Sequence, residues 1–98
     1  MSQPANSASL PVALRADAAQ RGRVPADQVE LISRQPVTWR DGSLGCPEPD
    51  RNYTQALVPG YRIRVRAGQE IITYHADRRG RWVWCPPGRA VEPLDPAS

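Results

Sequence analysis

The sequence predicts an α+β domain in which one N-terminal helix packs on a small antiparallel sheet of three to four strands, with a long Gly/Pro-rich loop between strands. Three observations carry this. Residues 9–21 hold an apolar stripe at helical spacing, residues 61–66 and 71–76 alternate with period two, and single cysteines stand at positions 46 and 85. Ninety-eight residues fit one domain, set here at residues 9–85 between a small-and-polar leader (residues 1–8) and a proline-punctuated tail (residues 86–98).

Each element has its own signal. Ser9 suits a helix cap, Pro11 a first turn, and Val12 to Arg21 favour a helix that Gly22 ends. Its stripe is Leu10, Leu14 and Ala18 with Ala13, and its simplest use is packing against the sheet. Val29–Ile32 and Pro36–Trp39 read as extended, either one bent strand or two short ones, because Pro36 removes a ladder donor. Gly42 to Pro59 is rich in Gly, Pro, Asn and Asp and reads as a long loop, the natural contact site.

The clearest pair is Tyr61–Arg66 with Ile71–Ala76. A two-residue turn at Gly68-Gln69 sets Val65 opposite Ile72, Ile63 opposite Tyr74 and Tyr61 opposite Ala76 on one face, and leaves Arg62, Arg64 and Arg66 facing His75, Thr73 and Ile71 on the other. A four-residue loop Asp77–Gly80 then pairs Ala76 with Arg81, Tyr74 with Val83 and Ile72 with Cys85. That register points Cys85 into the core and puts Trp82 and Trp84 on the arginine face. A slip of one residue reverses it and sinks both tryptophans, and the two registers stand nearly level.

Two cysteines allow one intramolecular pairing. A Cys46–Cys85 disulfide would restrict the unfolded chain by about 4 kcal/mol in the entropic treatment. It would favour an oxidising compartment, periplasmic or extracellular. The N-terminus lacks the basic start and apolar core of a signal peptide, so a native N-terminus would favour the cytoplasm. No apolar run is long enough to span a membrane.

The net charge of +3 comes from thirteen arginines and no lysine. That excludes lysine Schiff-base chemistry and the lysine-dependent phosphate loop, while the basic balance alone names no partner. With one histidine, every His-based scheme rests on His75, which the four-residue-loop register places across the sheet from Cys85. Neither a Cys–His dyad nor a Cys46/Cys85/His75 metal site is supported, and Asp41, Glu48 and Asp50 lack calcium-loop spacing. The reading is therefore no enzyme, no catalytic residue, no metal and no cofactor.

The tract Trp39-Arg40-Asp41-Gly42-Ser43-Leu44-Gly45-Cys46-Pro47, followed by Tyr53-Thr54-Gln55-Ala56-Leu57-Val58-Pro59-Gly60-Tyr61-Arg62-Ile63, Tyr74-His75 and a final cysteine, resembles a family of small uncharacterised bacterial proteins. The likeness spans roughly Ala13 to Cys85. It implies a helix before the tract and, since many members are exported or lipid-anchored, oxidised cysteines. It implies no activity.

The preferred function is a non-catalytic protein-binding module, inhibitor-like in build, presenting Leu44–Pro59, with Leu44, Glu48, Arg51, Tyr53 and Leu57 as contacts to an unknown protein partner. The second choice is nucleic-acid or polyanion binding by a face of Arg62, Arg64, Arg66, His75, Trp82 and Trp84. The third is a structural domain of an envelope assembly.

Overall fold

Residues 10–94 are described by a computed structural model, and the leader and Ser9 lie outside them. In chain order they form helix α1 (Val12–Gly22), a 3-10 turn (Ala26–Gln28) and strands β1 (Val29–Trp39), β2 (Val58–Ala67), β3 (Glu70–Asp77) and β4 (Trp82–Trp84). The strands make one antiparallel sheet in the order β1-β2-β3-β4, so each neighbour in space is the neighbour in sequence. The expected α+β class is the observed one.

Helix α1 begins where Pro11, with φ −58° and ψ 144°, turns the chain inward and accepts the first helical bond from Arg15 N at 3.0 Å. Leu10, Leu14, Ala18 and Ala19 form its buried side, and Ala13, expected in that stripe, is exposed. The helix closes one residue later than Gly22 implied. Arg23 takes the left-handed conformation (φ 59°), and Val24 N reaches back to Ala19 O at 3.0 Å, the bonding of a Schellman end. Gly22 serves a different purpose, because a Cβ there would meet the Ala67 backbone carbonyl and lie 2.5 Å from Ala67 Cβ. Its bare backbone lets the helix end press onto the β2–β3 turn.

The Arg15 guanidinium donates to Ala26 O (3.1 Å) and Val29 O (2.8 Å), fixing the helix to the start of β1. Tyr74, fully buried on β3, donates its hydroxyl to Asp17 Oδ2 at 2.6 Å, and Arg21 holds the same carboxylate at 2.7 Å. Burial opposes the charged form of Asp17, but the bonds from Arg21 and Tyr74 and the Arg21 charge outweigh it and lower its pKa. Burial, followed by the bond to Asp17, pushes the Tyr74 phenol up.

Strand β1 is one continuous strand, and its bend is a bulge between Leu31 and Ser33 that leaves Ile32 unpaired. The consequence reaches the whole fold. Val29, Leu31, Val37 and Trp39 are all odd-numbered, and a regular strand would put them on one face. The extra residue inverts the parity, so Val29 and Leu31 face the helix while Val37 and Trp39 face the other side. Pro36 is tolerated because β1 is an edge strand.

The sheet therefore carries two cores. Under α1 lie Val29, Ile63, Val65, Ala67, Ile72, Tyr74 and Ala76, and on the opposite face Val37, Trp39 and Leu44 pack with Val58. The β2–β3 register is the expected one at every pair, with Gly68 at φ +64° opening the two-residue turn.

The β3–β4 register is the slipped one. Ala76 pairs with Trp82, His75 with Val83 and Tyr74 with Trp84. The reason is chemical: Asp77 Oδ1 accepts the backbone N–H groups of Arg79 (2.8 Å) and Arg81 (3.0 Å), and Asp77 N donates to Arg81 O (2.9 Å). This closes a three-residue loop, with Gly80 at φ +98° in the position that needs positive φ. Both tryptophans consequently lie on the helix side. Trp82 meets Tyr74 edge-on at 5.5 Å, and Trp84 lies under the Arg21 guanidinium at 3.6 Å.

The segment set apart by sequence as a tail is fastened as far as Leu94. Val91 N donates to Gly45 O (2.9 Å), Arg40 Nε to Glu92 O (3.2 Å), and Leu94 N to Thr38 O (3.0 Å), making a short bridge beside β1. No helix among the described residues is long and apolar enough to cross a membrane.

Candidate functional site

The loop between β1 and β2 leaves the sheet at Trp39 and is folded down onto it by its own sequence. Asp41 Oδ1 accepts Ser43 N at 2.9 Å and Ser43 Oγ at 2.6 Å, so the side chain closes the turn. The next two residues are left-handed, Leu44 at φ +58° and Gly45 at φ +70°. A branched apolar residue rarely adopts that conformation without surroundings that favour it. Here Leu44 is fully buried against Trp39, and its carbonyl accepts the His75 Nδ1–H at 2.6 Å. Gly45 has no alternative, since a Cβ would lie 2.6 Å from the Trp39 ring and 2.9 Å from Val91 O.

Behind the turn, Trp39 stacks on His75 with ring centroids 4.3 Å apart and donates Nε1–H to Ala76 O at 3.0 Å, passing over Gly60. Cys46 then bonds to Cys85 with the Cα atoms 5.7 Å apart, tying the turn to the end of β4. The slipped register sets Cys85 on the same face as His75, not the opposite face. Its sulfur is committed to Cys46, so the pair offers no thiolate to a His75 base.

His75 is a structural residue. Burial pushes its pKa below the ordinary histidine value, the bond to Leu44 O opposes this, the Arg62 charge adds to it, and Glu92 opposes it. The unfolded chain thus binds a proton more readily, so the His75 contribution to stability is present above the unfolded pKa near 6.5 and declines as pH falls from there towards the folded value. In thermal melts by circular dichroism, the melting temperature should fall progressively below about pH 6.5. His75→Asn, whose amide can still donate to Leu44 O, should start about 2 kcal/mol lower through lost stacking and lack that part of the decline. Parallel profiles for the two proteins between pH 8 and 5 would contradict this.

Beyond Pro47 the loop turns outward. Glu48 N donates to the Tyr53 hydroxyl at 3.1 Å, Arg51 pairs with Glu48 at 3.4 Å, and Gly42 N donates to Thr54 O at 2.8 Å, which closes the base of the excursion. Of the expected loop contacts, Glu48, Arg51 and Leu57 are exposed and Tyr53 is half-buried. Leu44 is not a contact: it is the hydrophobic anchor that holds the loop down.

The expected polyanion face is also revised. Trp82 and Trp84 stand on the opposite side of the sheet, and His75 is covered by the loop. Arg62 is held by Gln35 (3.0 Å) and Glu92 (3.4 Å), and Arg66 lies 3.8 Å from Glu30. Arg64 is exposed on this face, and the rings that remain on it, Trp39 and His75, are buried and offer no stacking platform.

Sequence reasoning missed a second cluster. Arg78, Arg79 and Arg81 of the β3–β4 loop face the Thr54–Pro59 end of the long loop across an open cleft of about 510 Å³. The signal was the run Asp77-Arg78-Arg79-Gly80-Arg81, whose arginine density stood out only as a turn; its juxtaposition with Leu57 is a property of the fold.

Two cores on one sheet, with a loop clamped at its base and fastened by a disulfide to the last strand, define a stapled α+β module. The chain belongs to the family described as a domain of unknown function, DUF8738, whose model matches residues 12–85. That span runs from the first residue of α1 to the second cysteine and includes every strand. No curated protein and no solved structure matches the chain.

Proposed function

We propose that this protein is a non-catalytic protein-binding module, inhibitor-like in build, that recognises its partner through the outer part of the long loop, Glu48 to Leu57. The observation that supports this is the division of labour within the loop. Leu44, the Cys46–Cys85 bond and the Gly42–Thr54 hydrogen bond hold its base, while Glu48, Arg51 and Leu57 project into solvent. A loop fixed in this way loses little further freedom on association, so more of the contact energy survives as affinity.

A phage-displayed library of random dodecapeptides, panned on the full chain, tests this reading. Enrichment is expected, and the combined substitution Tyr53→Ala/Leu57→Ser should weaken the selected peptides by about tenfold or more. Leu57→Ser alone should keep a melting temperature near that of the wild type, because Leu57 is exposed, whereas Tyr53→Ala removes a half-buried ring that accepts the Glu48 N–H and should lower it modestly. Absence of enrichment, or binders indifferent to both positions, would overturn it.

A further inference from the structure

We propose that the cleft between the Thr54–Pro59 end of the loop and the β3–β4 turn binds an acidic protein segment that carries an apolar side chain. This deepens the protein-binding reading and rests on it. One wall is apolar, with Leu57, 59% exposed, beside Ala56, Val58 and Pro59. The other is cationic, with Arg78, Arg79 and Arg81 all exposed.

The cationic wall is only partly balanced from within, with three guanidinium groups against one carboxylate, that of Asp77, which also lines the cleft. The ion pairs among the described residues engage Arg21, Arg51, Arg62 and Arg66, and none engages the three turn arginines. The adjacent carboxylate is that of Asp77, and its Oδ1 already accepts the Arg79 and Arg81 backbone N–H groups. Three guanidinium groups within four residues repel one another, and carboxylates from a partner would relieve this with planar, two-pronged hydrogen bonds. A volume of about 510 Å³ falls in the range of ligand clefts and has room for a few side chains.

Peptide is favoured over nucleic acid by what lines the cleft. Single-strand binders supply aromatic platforms for the bases, and no aromatic side chain lines this one. An exposed leucine opposite arginines suits a segment in which Asp or Glu lies near Leu, Ile, Val or an aromatic residue.

The test uses the same dodecapeptide library, panned at about 0.15 M salt, where exposed charges are screened over about 8 Å. Selected sequences should carry at least two Asp or Glu residues next to an apolar one. The strongest binder, made as a fluorescein-labelled peptide, is then titrated by fluorescence anisotropy. Arg78→Glu/Arg81→Glu should weaken it by about 100-fold and Leu57→Ser by about tenfold, while Arg64→Glu, an exposed arginine outside the cleft, should change it less than about twofold. Melting temperatures should stay near that of the wild type throughout.

Selected peptides that are neutral or basic, or that ignore the turn arginines while depending on Arg51 and Tyr53, would overturn this inference and leave the loop-binding reading standing. Failure to select any peptide would overturn both. A mixed-sequence single-stranded DNA dodecamer that binds more tightly than the best peptide, is lost with Arg78→Glu/Arg81→Glu and is indifferent to Leu57→Ser would reassign the cleft to nucleic acid.

Discussion

Reducing the Cys46–Cys85 bond should lower the stability of this protein by about 4 kcal/mol, the loop-closure value for two cysteines separated by 39 positions. A domain of this size has a total margin of about 5–15 kcal/mol, so the loss takes a large share of it. At about 4–8 °C per kcal/mol for a small domain, the melting temperature should drop by roughly 15–30 °C between oxidised and reduced samples. The double substitution Cys46→Ala/Cys85→Ala should reproduce the drop and become insensitive to reductant. The effect should also be local before it is global. The disulfide joins the loop turn to the last strand, whereas the β2–β3 pairing rests on the helix-side core. Amide hydrogen exchange in the reduced protein should therefore accelerate first through Gly45–Thr54 and in Trp82–Cys85, with Ile63, Val65, Ile72 and Tyr74 still slow. Melting curves that coincide within about 2 °C with and without reductant would show that the staple contributes nothing.

The parts of this fold that were legible in the sequence are those in which one local rule acts without competition. The β2–β3 hairpin is the clearest, since a strict period of two and a Gly-first turn specify the same register and every pair agrees. The β3–β4 register depended on a side chain. Asp77 accepts two backbone N–H groups and thereby shortens the loop by one residue, which moves Trp82 and Trp84 across the sheet and removes the expected Arg/Trp surface. The bulge at Ile32 was equally hidden, because apolar residues at 29, 31, 37 and 39 read as one face until the extra residue divides them between two cores. The same division explains the Trp39–Pro47 tract. The tract stood out as unusual, but its residues are accounted for by the second core: Asp41 and Gly45 build the turn, Leu44 fills it, Trp39 floors it and Cys46 fastens it. The stretch beyond the tract is the exposed part of the loop, and the arginines it faces come from a turn some twenty residues further along the chain, an adjacency that only the tertiary structure supplies.

Gly60→Ala should be among the most damaging single-methyl additions in this protein, with a cost of about 3 kcal/mol or more. The reason is space and not backbone conformation. Gly60 pairs with Val37 on one side and Asp77 on the other, and its φ lies outside the left-handed region, so alanine would ordinarily favour the strand by about 0.5–1 kcal/mol. An added Cβ, however, would meet the Ala76 carbonyl oxygen and stand 2.9 Å from Trp39 Nε1. Those two atoms are hydrogen-bonded to each other at 3.0 Å directly over the glycine. Relief requires β3 to shift at Ala76, because its backbone carbonyl is the nearest obstruction, and that shift breaks the bond to Trp39, opens the stacking on His75 and loosens the pocket that holds Leu44 in its left-handed turn. The variant should show a lower denaturation midpoint and red-shifted tryptophan emission as Trp39 gains water. Gly88→Ala supplies the contrast, because nothing lies within 4 Å of its added Cβ, and it should stay within about 0.5 kcal/mol of the wild type. Wild-type stability in Gly60→Ala would mean that neither the Ala76 carbonyl nor the indole approaches the glycine this closely. Trp39→Leu in the Gly60→Ala background should restore nothing, since the Ala76 carbonyl still occupies the space that the methyl needs and a fully buried indole is lost as well.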